Sequence, residues 1–405
     1  MGFDTGSTAF MLIATSLVML MTPGLAFFYG GLVGRKNVIT IMMQSFVSLG
    51  ITTILWYTVG YSLSFSGDVG GIIGNLDMMF LKGVSITAAL SPSNNIPLIV
   101  FIAYQMMFAV ITPALITGAF ADRVTFKAYM IFQIVWLMLV YFPFTHMVWG
   151  GGILAQWGVL DFAGGIVVHA TAGMAALASV FFVGKRHAKP SEPHNIPLIA
   201  TGTALLWFGW YGFNAGSQLS VDSITALAFL NTDIAASFAA IVWLIIEWRE
   251  TGKPKFIGLL TGAVAGLATI TPAAGFVSTN TAALIGIIAG GVCYLAVKLK
   301  NKLQWDDALD VWGVHGVGGI LGVVCLGVFS STAVNSSGAD GLIYGGTQFF
   351  LVEMGAVIFT AAYAFVISYA LLKLINYIIP VRVTDEVQDF GLDIEIHGEH
   401  AYYIE

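Results

Sequence analysis

The chain has 405 residues, of which 58% are hydrophobic and 9% charged, and a formal net charge of −6. An ordinary soluble domain is roughly 25% charged, so this composition points to an integral membrane protein. Apolar stretches fill most of the length, which leaves no room for a soluble catalytic domain and argues against an enzyme. The expected partners are membrane lipid and a small solute, not nucleic acid.

The start, MGFDTGSTAF, carries an acid and no basic residue. It does not look like a cleavable signal peptide, and the first apolar stretch is expected to stay in the mature protein. Apolar stretches of about 20 residues fall near 8-33, 38-64, 96-120, 128-150, 159-183, 197-217, 223-248, 256-277, 280-299, 311-333 and 344-377. They lack the alternation of a membrane barrel and are too long for its strands, so helices must satisfy the backbone. The fold class is an all-α integral membrane protein with eleven transmembrane helices: a domain over 1-380 and a tail over 381-405.

Basic residues follow every odd-numbered span: Arg35 and Lys36; Arg123 and Lys127; Lys185, Arg186 and Lys189; Arg249, Lys253 and Lys255; Lys298, Lys300 and Lys302; and Lys373 and Arg382 around the end of the last. Only Lys82 falls on the other side. Loops rich in lysine and arginine stay cytoplasmic, so the N-terminus is expected outside and the C-terminus inside. The opposite loops, 67-95 and 334-343, are mildly acidic. That favours a cationic substrate or only solubility.

Glycine is abundant, at 47 residues, which lets membrane helices approach closely. His169 sits in GGIVVHATAG (164-173) and His315 in WGVHGVGG (312-319). An ionisable group inside a span is costly unless it faces a cavity, a partner or a pathway. Gly165 and Gly173 share the helical face of His169, and Gly322 that of His315, so the two imidazoles are expected to meet. Such a pair suits proton relay or recognition of a small neutral polar molecule. It does not suit a metal, because third and fourth ligands are missing.

An acid precedes each histidine, in DFAGGIVVH and DVWGVH, and GLAFFYGG in span 1 echoes WFGWYGFNAG in span 6. This suggests a duplication of five spans, the first repeat about 8-183 and the second about 197-333. Two odd-numbered halves must be inverted, and sites in such folds form at the repeat interface. The span at 344-377 is then an addition.

Phe108, Trp149, Phe213 and Ser217 form a second constellation, with Trp149 and Ser217 toward the outer face by this topology. A partly desolvated cation on such rings gains about 1–2 kcal/mol. An interfacial aromatic belt is the competing reading for Trp149. Cys293 and Cys325 lie in apolar spans and read as small buried hydrophobes, with no disulfide assigned. The tail carries seven acids, from Asp385 to Glu405. Its mixed run GLDIEIHGEHAY favours docking on the basic loops over a plain solubilising tail.

MTPGLAFFYGGLVGRKN (21-37), THMVWGGG (145-152), LDFAGGIVVH (160-169), WYGFNAGS (210-217) and DVWGVHGVGG (310-319), with the tail run, occur in order along the whole chain. Together they resemble the ammonium transporter (Amt/methylammonium permease/Rh) family. The resemblance implies that Trp149, Phe108 and Ser217 recruit ammonium at the outer face. It implies that Phe108 and Phe213 gate the pore and that His169 and His315 are the twin histidines of the lumen. Asp161 would support the recruitment site from beneath, and is counted with its binding residues; Asp310 would be the matching acid of the second half.

The resemblance further implies a homotrimer in the plasma membrane, ammonium or ammonia as substrate with methylammonium as analogue, no cofactor, and a GlnK-type regulatory protein as a partner for the cytoplasmic face. Ammonium would lose its proton, and ammonia and the proton would cross separately. The rival readings are an ammonium sensor with transporter architecture, a channel for neutral ammonia, and, least of all, a proton-pumping or redox membrane enzyme. Asp233 and Glu353 fall inside spans with no assigned role.

Overall fold

A computed structural model describes residues 2–187 and 192–402; Lys189 and Glu405 of the predicted basic loop and acidic tail lie outside them. Among the described residues, ten helices are long and apolar enough to cross a membrane. They are α1 (Thr5–Leu32), α2 (Val38–Phe65), α3 (Leu98–Phe120), α4 (Phe126–Gln156), α5 (Gly165–Val183), α6 (Ile196–Gln218), α7 (Ser223–Thr251), α9 (Thr279–Lys302), α10 (Trp312–Phe329) and α11 (Thr347–Ile378). The predicted span at 256-277 is a shorter helix, α8 (Phe256–Ile270). It stops because Pro272 has no amide to continue the ladder, and the chain turns at Ala273 and Phe276 instead. The one sheet among the described residues is a hairpin, Ala89–Ser91 with Asn94–Pro97.

Loops bond to one another in two sets. At one end, which we call the N-terminal face, Asp4 bonds Asn95, Asn94 bonds Leu219, Ile153 bonds Gly71 and Asn335 bonds Gly275. At the tail face, Arg123 donates to the Gly184 carbonyl, Arg186 pairs with Asp306 and Thr125 donates to the Pro380 carbonyl. The first set holds the loops after α2, α6, α8 and α10 with the end of α4, and the second holds the loops after α3, α5, α9 and α11.

Small residues set the helix spacing. A Cβ on Gly202 would lie 2.2 Å from the Phe28 nitrogen, so α6 presses on the backbone of α1. One on Gly173 would lie 2.1 Å from the Gly316 Cα, which is where α5 crosses α10. Gly165 and Gly322 serve a different neighbour from the one expected: both accommodate the Thr269–Pro272 stretch, with contacts of 2.5 Å to Pro272 and 2.2 Å to the Thr269 carbonyl. Gly319 is the glycine that admits the Cβ of His169, at 2.7 Å.

The tail docks, as its composition suggested. Lys36 Nζ donates to the carbonyls of Gln388 and Asp389, and Asp393 caps α2 by accepting from the amides of Ile39 and Thr40 at 3.0 and 2.8 Å. His187 lies between Asp385 and Asp389, and Arg35 sits over the Tyr402 ring. The two cysteines are buried free thiols.

Candidate functional site: a path past stacked rings to two histidines

α5 does not begin where the apolar stretch does. Residues 157–164 stay irregular until Gly164, at φ +118°, a left-handed conformation suited to glycine. Asp161 in that segment caps the following turn with its whole carboxylate: Oδ1 accepts from the amides of Gly164 and Gly165, and Oδ2 from Ile166 and Val167, at 2.7–3.1 Å. Four amides aimed at one buried carboxylate compensate its charge without a counter-ion. The capped turn, Gly165–Ala170, is a π-helical turn that carries His169.

α10 begins the same way. Asp307 is 1% exposed and accepts from the amides of Val311 and Trp312 at 3.1 and 2.8 Å. It caps the π-helical turn Trp312–Gly316, which carries His315. Burial pushes the Asp307 carboxyl up to about 6, against the opposing pull of Lys300. Asp307 therefore matches Asp161, and each stands eight residues before its histidine. This corrects the assignment of Asp310. That residue adopts φ +60°, pairs with Lys300 at 2.5 Å and lines the tail-face vestibule.

His169 Nδ1 and His315 Nδ1 lie 3.2 Å apart, with the rings nearly parallel at 16°. One Nδ1 must donate and the other accept. Each neutral ring has one N–H, so one histidine then offers an Nε2 acceptor and the other an Nε2–H donor. His169 Nε2 is buried and has no partner among the described residues. Trp210 stacks on His169 at 5.4 Å and is itself fixed by donating to Thr271 Oγ1 at 2.9 Å.

Three cavities follow one another past these side chains. The vestibule at the N-terminal face, ≈ 350 Å³, is lined by residues that include Trp149, Asp161, Ser217, Gln105 and Asn335. Phe108 and Phe213 stack at 4.2 Å and 28°, and Trp149 meets the Phe108 ring edge-on at 5.9 Å. Beyond Phe213 a space of ≈ 10 Å³ is lined by Ile111, Leu115, Val168, Leu206 and other apolar side chains, together with both histidines. That is about room for one water-sized molecule. His315 also lines the third cavity, ≈ 240 Å³, which reaches Arg186 and Asp310 near the tail face.

The sequence of this chain matches the model of the Ammonium Transporter Family over residues 9–402. It is 46% identical to the ammonium transporter of Bacillus subtilis over 399 residues, 98% of each chain. The chain belongs to the ammonium transporter family. Its fold is similar to the crystal structure of Candida albicans Mep2, with a TM-score of 0.88 at 35% identity, covering 95% of this chain and 87% of that one. It is also similar to a solved structure described as a sensor Amt protein, with a TM-score of 0.89 at 29% identity, covering 97% and 98%.

Phe108, Trp149, Phe213, Ser217, Asp161, His169 and His315 lie along one succession of cavities, and Asp310 lines its tail-face end without the counterpart role expected of it. Trp149 is held by its indole N–H donating to the Asp161 carbonyl at 2.8 Å. Ser217 donates to the Phe213 carbonyl and stands 3.3 Å from the Tyr104 hydroxyl. Asp161 lines the vestibule floor, yet both its oxygens are taken by amides. It positions Trp149 and the His169 turn and offers no free carboxylate to a cation. Asp233 ties α7 to α6, accepting from Trp207 Nε1 at 3.1 Å and the Tyr211 hydroxyl at 2.7 Å.

Gln105, Trp210 and Asn335 were missed. Gln105 is 8% exposed, lines the vestibule and has an Oε1 without a partner among the described residues. Its place three residues before Phe108, on the same helical face, was the available signal. Near the tail face, Arg123 is buried and held by Asp306, with burial lowering its guanidinium to about 10 against that carboxylate.

Proposed function

We propose that the protein imports ammonium by separating it into ammonia and a proton. The observation that carries this reading is the pair of touching histidines in an otherwise apolar space directly behind the stacked rings of Phe108 and Phe213. Ammonium is recruited at Trp149, Phe108 and Ser217, where ring faces and a hydroxyl replace part of its water. Potassium has nearly the same size and charge, so such a site alone cannot exclude it. A dry lumen excludes bare cations far more strongly than neutral molecules, and only ammonium can shed a charge as a proton. Ammonia then passes Phe213 and the proton follows through the histidine pair, so net charge moves.

In this reading the chain crosses the plasma membrane eleven times with its N-terminus outside, α1–α5 and α6–α10 form inverted repeats, α8 with the turns after it makes one crossing, and α11 stands outside the repeat. The gathering of loops into two alternating sets supports this topology, and the matched capped turns before His169 and His315 support the repeat. A homotrimer with one path per protomer, and a GlnK-type regulator on the tail face, belong to the same proposal. A sensor is the second reading, favoured by the likeness to the solved sensor Amt protein.

Labelled methylammonium uptake by cells lacking their own ammonium transporters tests the reading. Saturable uptake is expected, and Trp149→Leu should raise the half-saturating concentration roughly 5- to 30-fold, from the loss of about 1–2 kcal/mol of cation–π attraction. Binding without uptake would establish the sensor instead.

A further inference from the structure

Glu353 is a buried acid within a span that the path does not use. It lies on α11, is 0% exposed, and no residue of α11 lines any of the three cavities. Its Oε1 accepts from the Leu160 amide at 2.7 Å, while Oε2 is buried with no partner among the described residues. α11 packs on α10 here: a Cβ on Gly327 would lie 3.2 Å from the Phe350 ring and 3.4 Å from the Cβ of Glu353. A buried carboxylate in an apolar span is expensive, and here it holds a single amide.

That amide is well placed. Leu160 lines the vestibule and precedes Asp161, whose carbonyl fixes the Trp149 indole and whose carboxylate caps the turn carrying His169. The flanking residues are held from other directions, Val159 by the Leu154 carbonyl and Phe162 by the Pro272 carbonyl. Glu353 supplies the bond at the point between them.

We infer that Glu353 is a positioning residue for cation recruitment, acting through the Leu160 amide to set where Asp161 holds Trp149. The inference rests on the transport reading above. Glu353 touches neither the vestibule nor the lumen, so its effect falls on affinity and not on passage. An oxygen acceptor at this position is required and a negative charge is not.

Two substitutions separate these terms in the full-length protein, with methylammonium as the probe. Glu353→Met fills the space without an acceptor and should raise KM roughly five- to tenfold, with the maximal rate within about twofold of the parent. Glu353→Gln keeps the acceptor and should restore the parental KM. If Glu353→Met does not accumulate in the membrane, Glu353→Asp, which withdraws the carboxylate by one methylene, should show the same rise. A parental KM in the acceptor-less or shortened variant, a loss confined to the maximal rate, or a Glu353→Gln protein as impaired as Glu353→Met would overturn the inference. A parent with no uptake at all would remove the transport reading and this inference together.

Discussion

Replacing His169 with alanine is expected to lower methylammonium uptake on the order of 100-fold, while His169→Asp should admit potassium that the parent rejects. His169 and His315 supply the polar ring atoms of the lumen, in a space otherwise walled by apolar side chains. Without His169 the two-ring relay is broken, His315 has no partner to pass a proton to, and a cation crossing there must pass charged. A central charge costs roughly 2.5–3.5 kcal/mol even on the lowest scales, which is about two orders of magnitude in rate. Aspartate changes the sign of the problem, because a fixed carboxylate compensates any monovalent cation and removes the demand for deprotonation. Competition between potassium and methylammonium for uptake would show it. Unchanged selectivity in His169→Asp would refute the relay role of the pair.

The second large effect is structural. Asp161→Ala should prevent the protein from accumulating in the membrane, and Asp161→Asn should leave it assembled but less stable. The alanine leaves four buried amides without acceptors, at about 1–3 kcal/mol each, a total comparable to the whole stability of a typical domain. Asparagine keeps one oxygen, and so about two of the four bonds. Melting of detergent-purified protein, followed by loss of monodisperse material, orders the three forms. An Asp161→Ala protein that melts with the parent would show that the cap is dispensable.

Much of this fold was legible because membrane burial writes itself into composition: apolar runs located the helices, and basic residues sorted the loops. The meeting of His169 and His315 was legible too, since Gly173 and its neighbours left a smooth face on which α10 could lie. What was not legible depends on backbone geometry. Asp310 and Asp307 both precede His315 among apolar residues, and only the cap shows which one holds the turn; the shared spacing of eight residues was present but obscured by the nearer acid. The π-helical turns leave no pattern, because one extra residue per turn alters no side-chain type. The early stop of α8 was written in Pro272, yet the apolar residues after it concealed the break. Gln105 and Asn335 join the vestibule, and Trp210 the lumen, from segments distant in sequence, and Glu353 acts through a single amide on another element. Apart from the i, i+3 spacing of Gln105 and Phe108, such long-range pairings have no local signature.

The central claim is that charge and ammonia cross separately, and current measurement on the reconstituted protein tests it most directly. In proteoliposomes given pulses of ammonium, methylammonium or potassium, the parent protein should give a transient current with the first two and none with potassium. Uptake of ammonium with no accompanying current would contradict the separation and leave a channel for neutral ammonia.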